Sequence, residues 1–197
     1  MTLGTWIVVA LVTALAIWGV GIYNRLVQRR NRIANAFAQI DVQLKRRHDL
    51  IPNLVETARG YLKHEAATLE AVIAARGAAQ SAVAAARLTP VDAGAIGALT
   101  TAEGALQGSL GRLMMVAEQY PDLKADATMA SLSEELGSTE NRLGFARQAY
   151  NDEVLHYNDE AAQFPQVIVA RLFGFAVAPM LESTRSEAER QAPKVQF

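Results

Sequence analysis

Between Leu3 and Ile22 the chain reads LGTWIVVALVTALAIWGVGI, without a charged side chain. Twenty residues rising about 1.5 Å each span about 30 Å, the hydrocarbon thickness of a bilayer. Trp6 stands near one end of the run and Trp18 and Tyr23 near the other, where amphipathic aromatics anchor a span. The pattern predicts an uncleaved transmembrane anchor over residues 1–24. A cleaved signal peptide would place basic residues before a shorter apolar core, and no charge precedes this one.

From Ile33 the period changes. Apolar positions recur at Phe37, Ile40, Leu44, Ile51, Leu54, Ala58 and Tyr61, the four-three alternation of a helix with one packing seam. Arg47 alone breaks the series. Pro52 falls on the polar side with Asp41, Lys45 and Asp49, so it is expected to bend this helix rather than end it. The helix is expected to continue to about Leu88, where Thr89-Pro90 closes it. A helix of that length measures about 90 Å and would leave a thin core, which favours lateral association of copies.

Beyond it, Gly94, Gly97, Gly104, Gly108 and Gly111 are spaced to fall close together on a helix, and close backbone packing there is expected. Tyr120-Pro121 breaks the second helix, and Asp126 or Thr128 offers a cap for the third. Leu132, Leu136, Thr139, Leu143, Ala146, Tyr150, Glu153 and Tyr157 repeat the seam. That helix should end near Phe164-Pro165. QVIVARLFGF then forms a short apolar helix or hairpin-like cap, and ESTRSEAERQAPKVQF a partly ordered tail. The expected fold is all-α: the membrane helix, then an elongated antiparallel helical bundle or hairpin over residues 25–165, then residues 166–197 as apolar element and tail.

Charge refines this picture. Residues 25–47 hold seven basic side chains against one acidic, although the whole chain carries −1. Arg25, Arg29, Arg30 and Arg32 directly follow the apolar run. The positive-inside rule then puts the amino terminus outside and the body in the cytoplasm of a single-pass protein of the inner (cytoplasmic) membrane. These four arginines are topology and lipid-headgroup residues. Cysteine is absent, so disulfides and thiol chemistry are excluded.

The stretch YNRLVQRRNRIANAFAQIDVQLKRRHDLIPNLVETARGYLKHE, then AEQYPDLKA, ENRLGFARQAYNDEVLHYN, the Phe164-Pro165 pair and the closing PKVQF resemble the LemA family of bacterial membrane proteins over nearly the whole chain. His48 stands where that family commonly has Tyr, and Phe37 where Trp is common. The resemblance implies an amino-terminal anchor with its terminus outside, a helical cytoplasmic domain and no established enzymatic activity.

The candidate chemistry narrows in the same direction. A di-iron bundle needs two Glu-x-x-His pairs, and only Glu153-Val-Leu-His156 has the spacing. His156 stands among Asp152, Glu153, Asp159 and Glu160, as on a solvated acidic face. Neither a Gly-x-Ser-x-Gly elbow nor a phosphate loop occurs. Lys45, Arg46 and Arg47 point about 100° apart and cannot form one basic face for nucleic acid. No catalytic residue, cofactor or metal ligand is therefore assigned. Arg47, at a seam position, is expected to pair with Glu153, Glu140 or Glu135 within or between chains; the alternative is a stem on apolar surface with its head in water. Tyr150-Asn151 and Tyr157-Asn158, one heptad apart, read as contacts between helices, with Pro52 and Tyr61 as further interface positions.

These features favour a membrane-anchored scaffold or adaptor that acts through self-assembly and protein-protein contact. Its partners would be the bilayer, its own copies and other membrane proteins. A membrane-organising, lipid-binding protein with a basic juxtamembrane collar is the alternative, and a helical-bundle metalloenzyme a distant one.

Overall fold

A computed structural model describes residues 3–181, and every regular element among them is helical. They are α1 (Leu3–Arg59), α2 (Ala66–Leu88), α3 (Ala93–Ala117), α4 (Pro121–Lys124), α5 (Ala127–Ala162) and α6 (Gln166–Leu172). The charged tail and its PKVQF end lie outside the described residues.

α1 is a single rod of 57 residues, about 85 Å long. Its first turns stand clear of the rest of the chain, and it is the described helix long and apolar enough to cross a bilayer. Pro52 is inside it, but the helix does not continue to Leu88. It stops at Arg59, Gly60 opens a turn, and the chain reverses before α2 begins at Ala66. The apolar period does resume after Pro52, through Leu54, Val55 and Ala58, but only for two turns before Leu62 is tucked into the core. Tyr61, expected on the seam, is exposed.

The consequence is a bundle. α1 packs mainly against α5, α2 against α3, and α1 also against α2. α2 ends at Leu88 with Thr89 at its C-cap. Asp92 then caps α3, its carboxylate accepting from the Ala95 amide at 2.7 Å, and Asp126 caps α5 by accepting from the Met129 amide at 2.9 Å, as short acidic side chains do at helix starts. The apolar stretch after α5 is a helix, α6.

The body does not have the thin core expected of an extended hairpin. One cluster gathers Ile33, Phe37, Ile40, Leu44, Leu99, Leu143 and Tyr150; a second, further from the anchor, gathers Ile51, Leu54, Leu62, Leu106, Leu113 and Leu123. Each fully buried large side chain contributes about 1.5–3 kcal/mol. The glycine expectation also fails. A Cβ placed at Gly97, Gly104, Gly108 or Gly111 would meet nothing within 4 Å, because α3 turns its Ile96, Leu99, Leu106, Leu110 and Leu113 edge inward and leaves those glycines outside.

Candidate functional site

The two core clusters are separated by a layer of buried charge. Arg47 and Glu103 are 3% and 5% exposed. Arg47 Nη1 lies 3.4 Å from Glu103 Oε2 and 3.1 Å from Glu140 Oε2. His48 Nε2 lies 2.9 Å from Glu103 Oε1; a carboxylate only accepts, so that nitrogen carries the hydrogen. Arg147 approaches Glu140 at 4.0 Å. From α2, Arg76 Nε donates 2.7 Å to the backbone carbonyl of His48.

Pro52 explains that last bond. In an α-helix the carbonyl of residue 48 would accept from the amide of residue 52, and proline has none. The freed carbonyl faces α2, and Arg76 supplies the missing donor. The layer thus joins α1, α2, α3 and α5 through one charged residue or pair from each, at the height where Leu44 gives way to Ile51 on α1 and Leu99 to Leu106 on α3. Arg47 and Glu103 lie inside this layer, while Glu140 at its edge is one-third exposed. The layer makes any sliding of one helix against another leave a charge unpaired, at about 3–5 kcal/mol.

Among the three acids considered for Arg47, Glu140 is the one beside it. Glu135 binds Arg46 instead, at 2.7 Å. Glu153 takes no part in the layer; its Oε2 is buried with no hydrogen-bond partner among the described residues. Glu103 and His48 were missed as members. A signal for Glu103 existed, because Ile96, Leu99, Glu103, Leu106, Leu110, Leu113 and Ala117 alternate three-four and Glu103 is the one charged position in that series.

The Tyr-Asn pairs face a different partner from the helices expected. They hold the segment after α6, residues 174–181, as a strap along α5. Asn158 Nδ2 donates to the Ala178 carbonyl and its Oδ1 accepts from the Ala178 amide, both at 2.9 Å. Asn151 does the same with Leu181, at 2.8 Å each way. The Tyr157 hydroxyl donates to the Ala176 carbonyl at 2.9 Å, and the Tyr150 hydroxyl shares its hydrogen between Pro179 at 3.0 Å and Pro90 at 2.8 Å. Seven helical residues rise about 10.5 Å and three extended residues about 10 Å, so partners one heptad apart on α5 meet backbone groups three apart on the strap. Burial pushes both phenols above their ordinary value, with Arg30 pulling Tyr157 back in part.

Tyr61 reaches the start of α5 and donates to Asp126 at 3.0 Å. The carboxylate raises this phenol, while the Met129 amide, followed by the Tyr61 hydroxyl, lowers Asp126. Pro52 itself is exposed.

At the anchor end, Leu3, Trp6 and Trp18 are exposed, whereas Ile22 is buried against Ala170 of α6. The basic collar is partly consumed within the chain. Arg29 bonds Glu160 at 2.6 Å and Arg25 approaches it at 3.6 Å, while Arg30 and Arg32 are exposed. Arg25, Arg29, Arg32, His156 and Asp159 line an open hollow of about 440 Å³. Among the described residues no group of three His, Cys, Asp or Glu side chains could hold a metal.

Residues 36–197 match the model of the LemA family. Magnetosome proteins MamQ 1 and MamQ 2 of Paramagnetospirillum magneticum are each 36% identical over 84 residues, which is 43% of this chain and 31% of theirs. Magnetosome protein MamQ of Magnetospirillum gryphiswaldense is 33% identical over the same shares. The matched segment therefore spans under a third of these relatives.

Proposed function

This chain belongs to the LemA family, and from that premise we propose that it is a membrane-anchored scaffold whose helical body faces the cytoplasm and works by associating with further copies and with other membrane proteins, without catalysis. The observation that carries the reading lies on the outer faces of α1 and α5. Phe37 stacks edge-on against Tyr150 at 6.1 Å, and Arg47 pairs with Glu140. Val42 and Phe145 stand midway between those two contacts, at one height on the antiparallel pair, and are 58% and 74% exposed. Large apolar side chains left in water at the waist of a body that already owns a packed core fit a surface that meets another protein. The MamQ relatives, named as magnetosome proteins, are consistent with a membrane setting.

Because cysteine is absent, single-cysteine variants of the full chain test this directly. Phe145→Cys should form dimers with a short bifunctional maleimide in membranes, and Glu70→Cys, on exposed polar surface, should not. A monomeric mass for the detergent-extracted chain together with no crosslink at residue 145 would overturn self-association. Equal crosslinking at both positions would identify random collision and overturn it as well.

A further inference from the structure

α6 sits where the anchor leaves the bilayer. Pro165 and Gln166 line one hollow with Ile17, Trp18, Gly21 and Ile22, and Ala170 packs on Ile22 and Leu26. Tyr23 meets Phe173 edge-on at 5.0 Å. The apolar run that spans about 30 Å ends at Ile22, so the first turn of α6 stands beside the last turns of that run, at or just inside the edge of the hydrocarbon. The helix has two unlike faces. Ala170 and Val169 turn toward α1. Ile168 and Leu172, four residues apart, turn away and are 56% and 76% exposed, and Phe164 before the helix and Phe173 after it are exposed too.

We infer that α6 and the phenylalanine before it are an interfacial lipid-contact element, with Phe164, Ile168 and Leu172 seated among the acyl chains of the leaflet the anchor leaves, while Phe173 packs on Tyr23 toward the body. This rests on the reading of Leu3–Ile22 as a bilayer span. Continuity with that span selects the occupant, since a second protein would have to displace lipid to reach these side chains. The polar neighbours agree in height. Arg171 follows Ala170 on an exposed position of the same helix, and Arg25, Gln28, Arg29 and Arg32 line the hollow just above, level with headgroups. A short helix lying in the interface by an apolar face, with basic side chains at its polar edge, is a stable arrangement at a membrane surface. The body is then held by two contacts, the anchor and α6, which fixes its tilt against the bilayer and orients the outer faces of α1 and α5 sideways.

Single-cysteine variants of the full chain, Leu11→Cys, Ile168→Cys, Leu172→Cys and Glu70→Cys, labelled with an environment-sensitive fluorophore, test this in vesicles of phosphatidylcholine and phosphatidylglycerol at low protein density. All but the probe of the span stand on exposed body positions, and circular dichroism checks each fold. Labels at 168 and 172 should be quenched several-fold more by nitroxide-bearing lipid than the label at 70, and several-fold less by aqueous iodide. Iodide access at 168 equal to that at 70, with 11 still quenched by lipid, would overturn the α6 proposal while leaving the span intact. Iodide access at 11 would overturn the span and this proposal together. Shielding at 168 that disappears on dilution into more lipid would assign the face to a second copy and overturn lipid contact.

Discussion

Arg76 donates its Nε hydrogen to the backbone carbonyl of His48 across 2.7 Å, taking the place of the helical donor that Pro52 lacks. Proline inside a helix usually costs stability through its lost bond; here the loss is converted into a bond between α1 and α2. Arg76→Met should destabilise by about 1–3 kcal/mol, the cost of a part-buried acceptor left alone. In a Pro52→Ala background the amide of residue 52 returns, so the same change should cost markedly less. A double-mutant cycle by urea unfolding reads this coupling; equal losses in both backgrounds would refute the account.

Arg47 and Glu103 face each other inside the core, with Glu140 and His48 completing their shells. Glu103→Gln should lower stability by about 3–5 kcal/mol because Arg47 then keeps only part of its compensation. Arg47→Met should cost a similar amount. The two together should cost much less than their sum, since neither change then strands a full charge. Additive losses in thermal or urea unfolding would mean that the arginine reaches water instead.

The strap offers a local test. Asn158→Leu removes a donor and an acceptor from Ala178 at once, and should cost about 1–3 kcal/mol. Its chief effect should be confined to the strap, read as faster proteolysis between residues 174 and 181 and faster amide exchange at Ala178 and Leu181, while α2 and α3 keep their protection. Uniform loss of protection across the bundle would show that the strap is instead part of one cooperative unit with the core.

How far the sequence foretold this molecule depends on which interactions are periodic. The long apolar first helix, the seams of α1 and α5 and the cap at Asp126 rest on repeats and local chemistry, and local chemistry is visible in one dimension; the cap at Asp92 rests on the same chemistry but was not among the caps expected. The long-helix expectation failed at Gly60 because apolar period alone does not tell a helix from a helix plus a tight reversal that keeps Leu62 inward. The charge layer was half visible. Arg47 broke its seam openly, whereas Glu103 broke another seam in a stretch whose glycine spacing drew attention to the wrong face. The Tyr-Asn pairs stood out as polar residues on a buried edge, but their partner is backbone. A strap that supplies only amides and carbonyls leaves no side-chain signature, so Ala176 to Leu181 could not be matched to them in advance.

The two strap tyrosines also make stability depend on alkaline pH, with a sign that follows from burial. In the unfolded chain a phenol ionises near pH 10. In the folded chain burial raises both Tyr150 and Tyr157 above that value, since the charged form is disfavoured away from water. Below about pH 10 both states hold the proton and these groups add no slope. Above it the unfolded chain binds fewer protons than the folded one, so stability falls as pH rises and keeps falling until the folded value is passed. Urea midpoints measured from about pH 8 to about pH 11 should therefore decline at the alkaline end. The Tyr150→Phe, Tyr157→Phe double variant should start lower, by about 0.5–1.5 kcal/mol for each hydrogen bond lost, and decline less steeply. An alkaline slope unchanged in that variant would place the titration elsewhere, and would mean that these hydroxyls are not held in the dry contact with Ala176 and Pro179 that the geometry gives them.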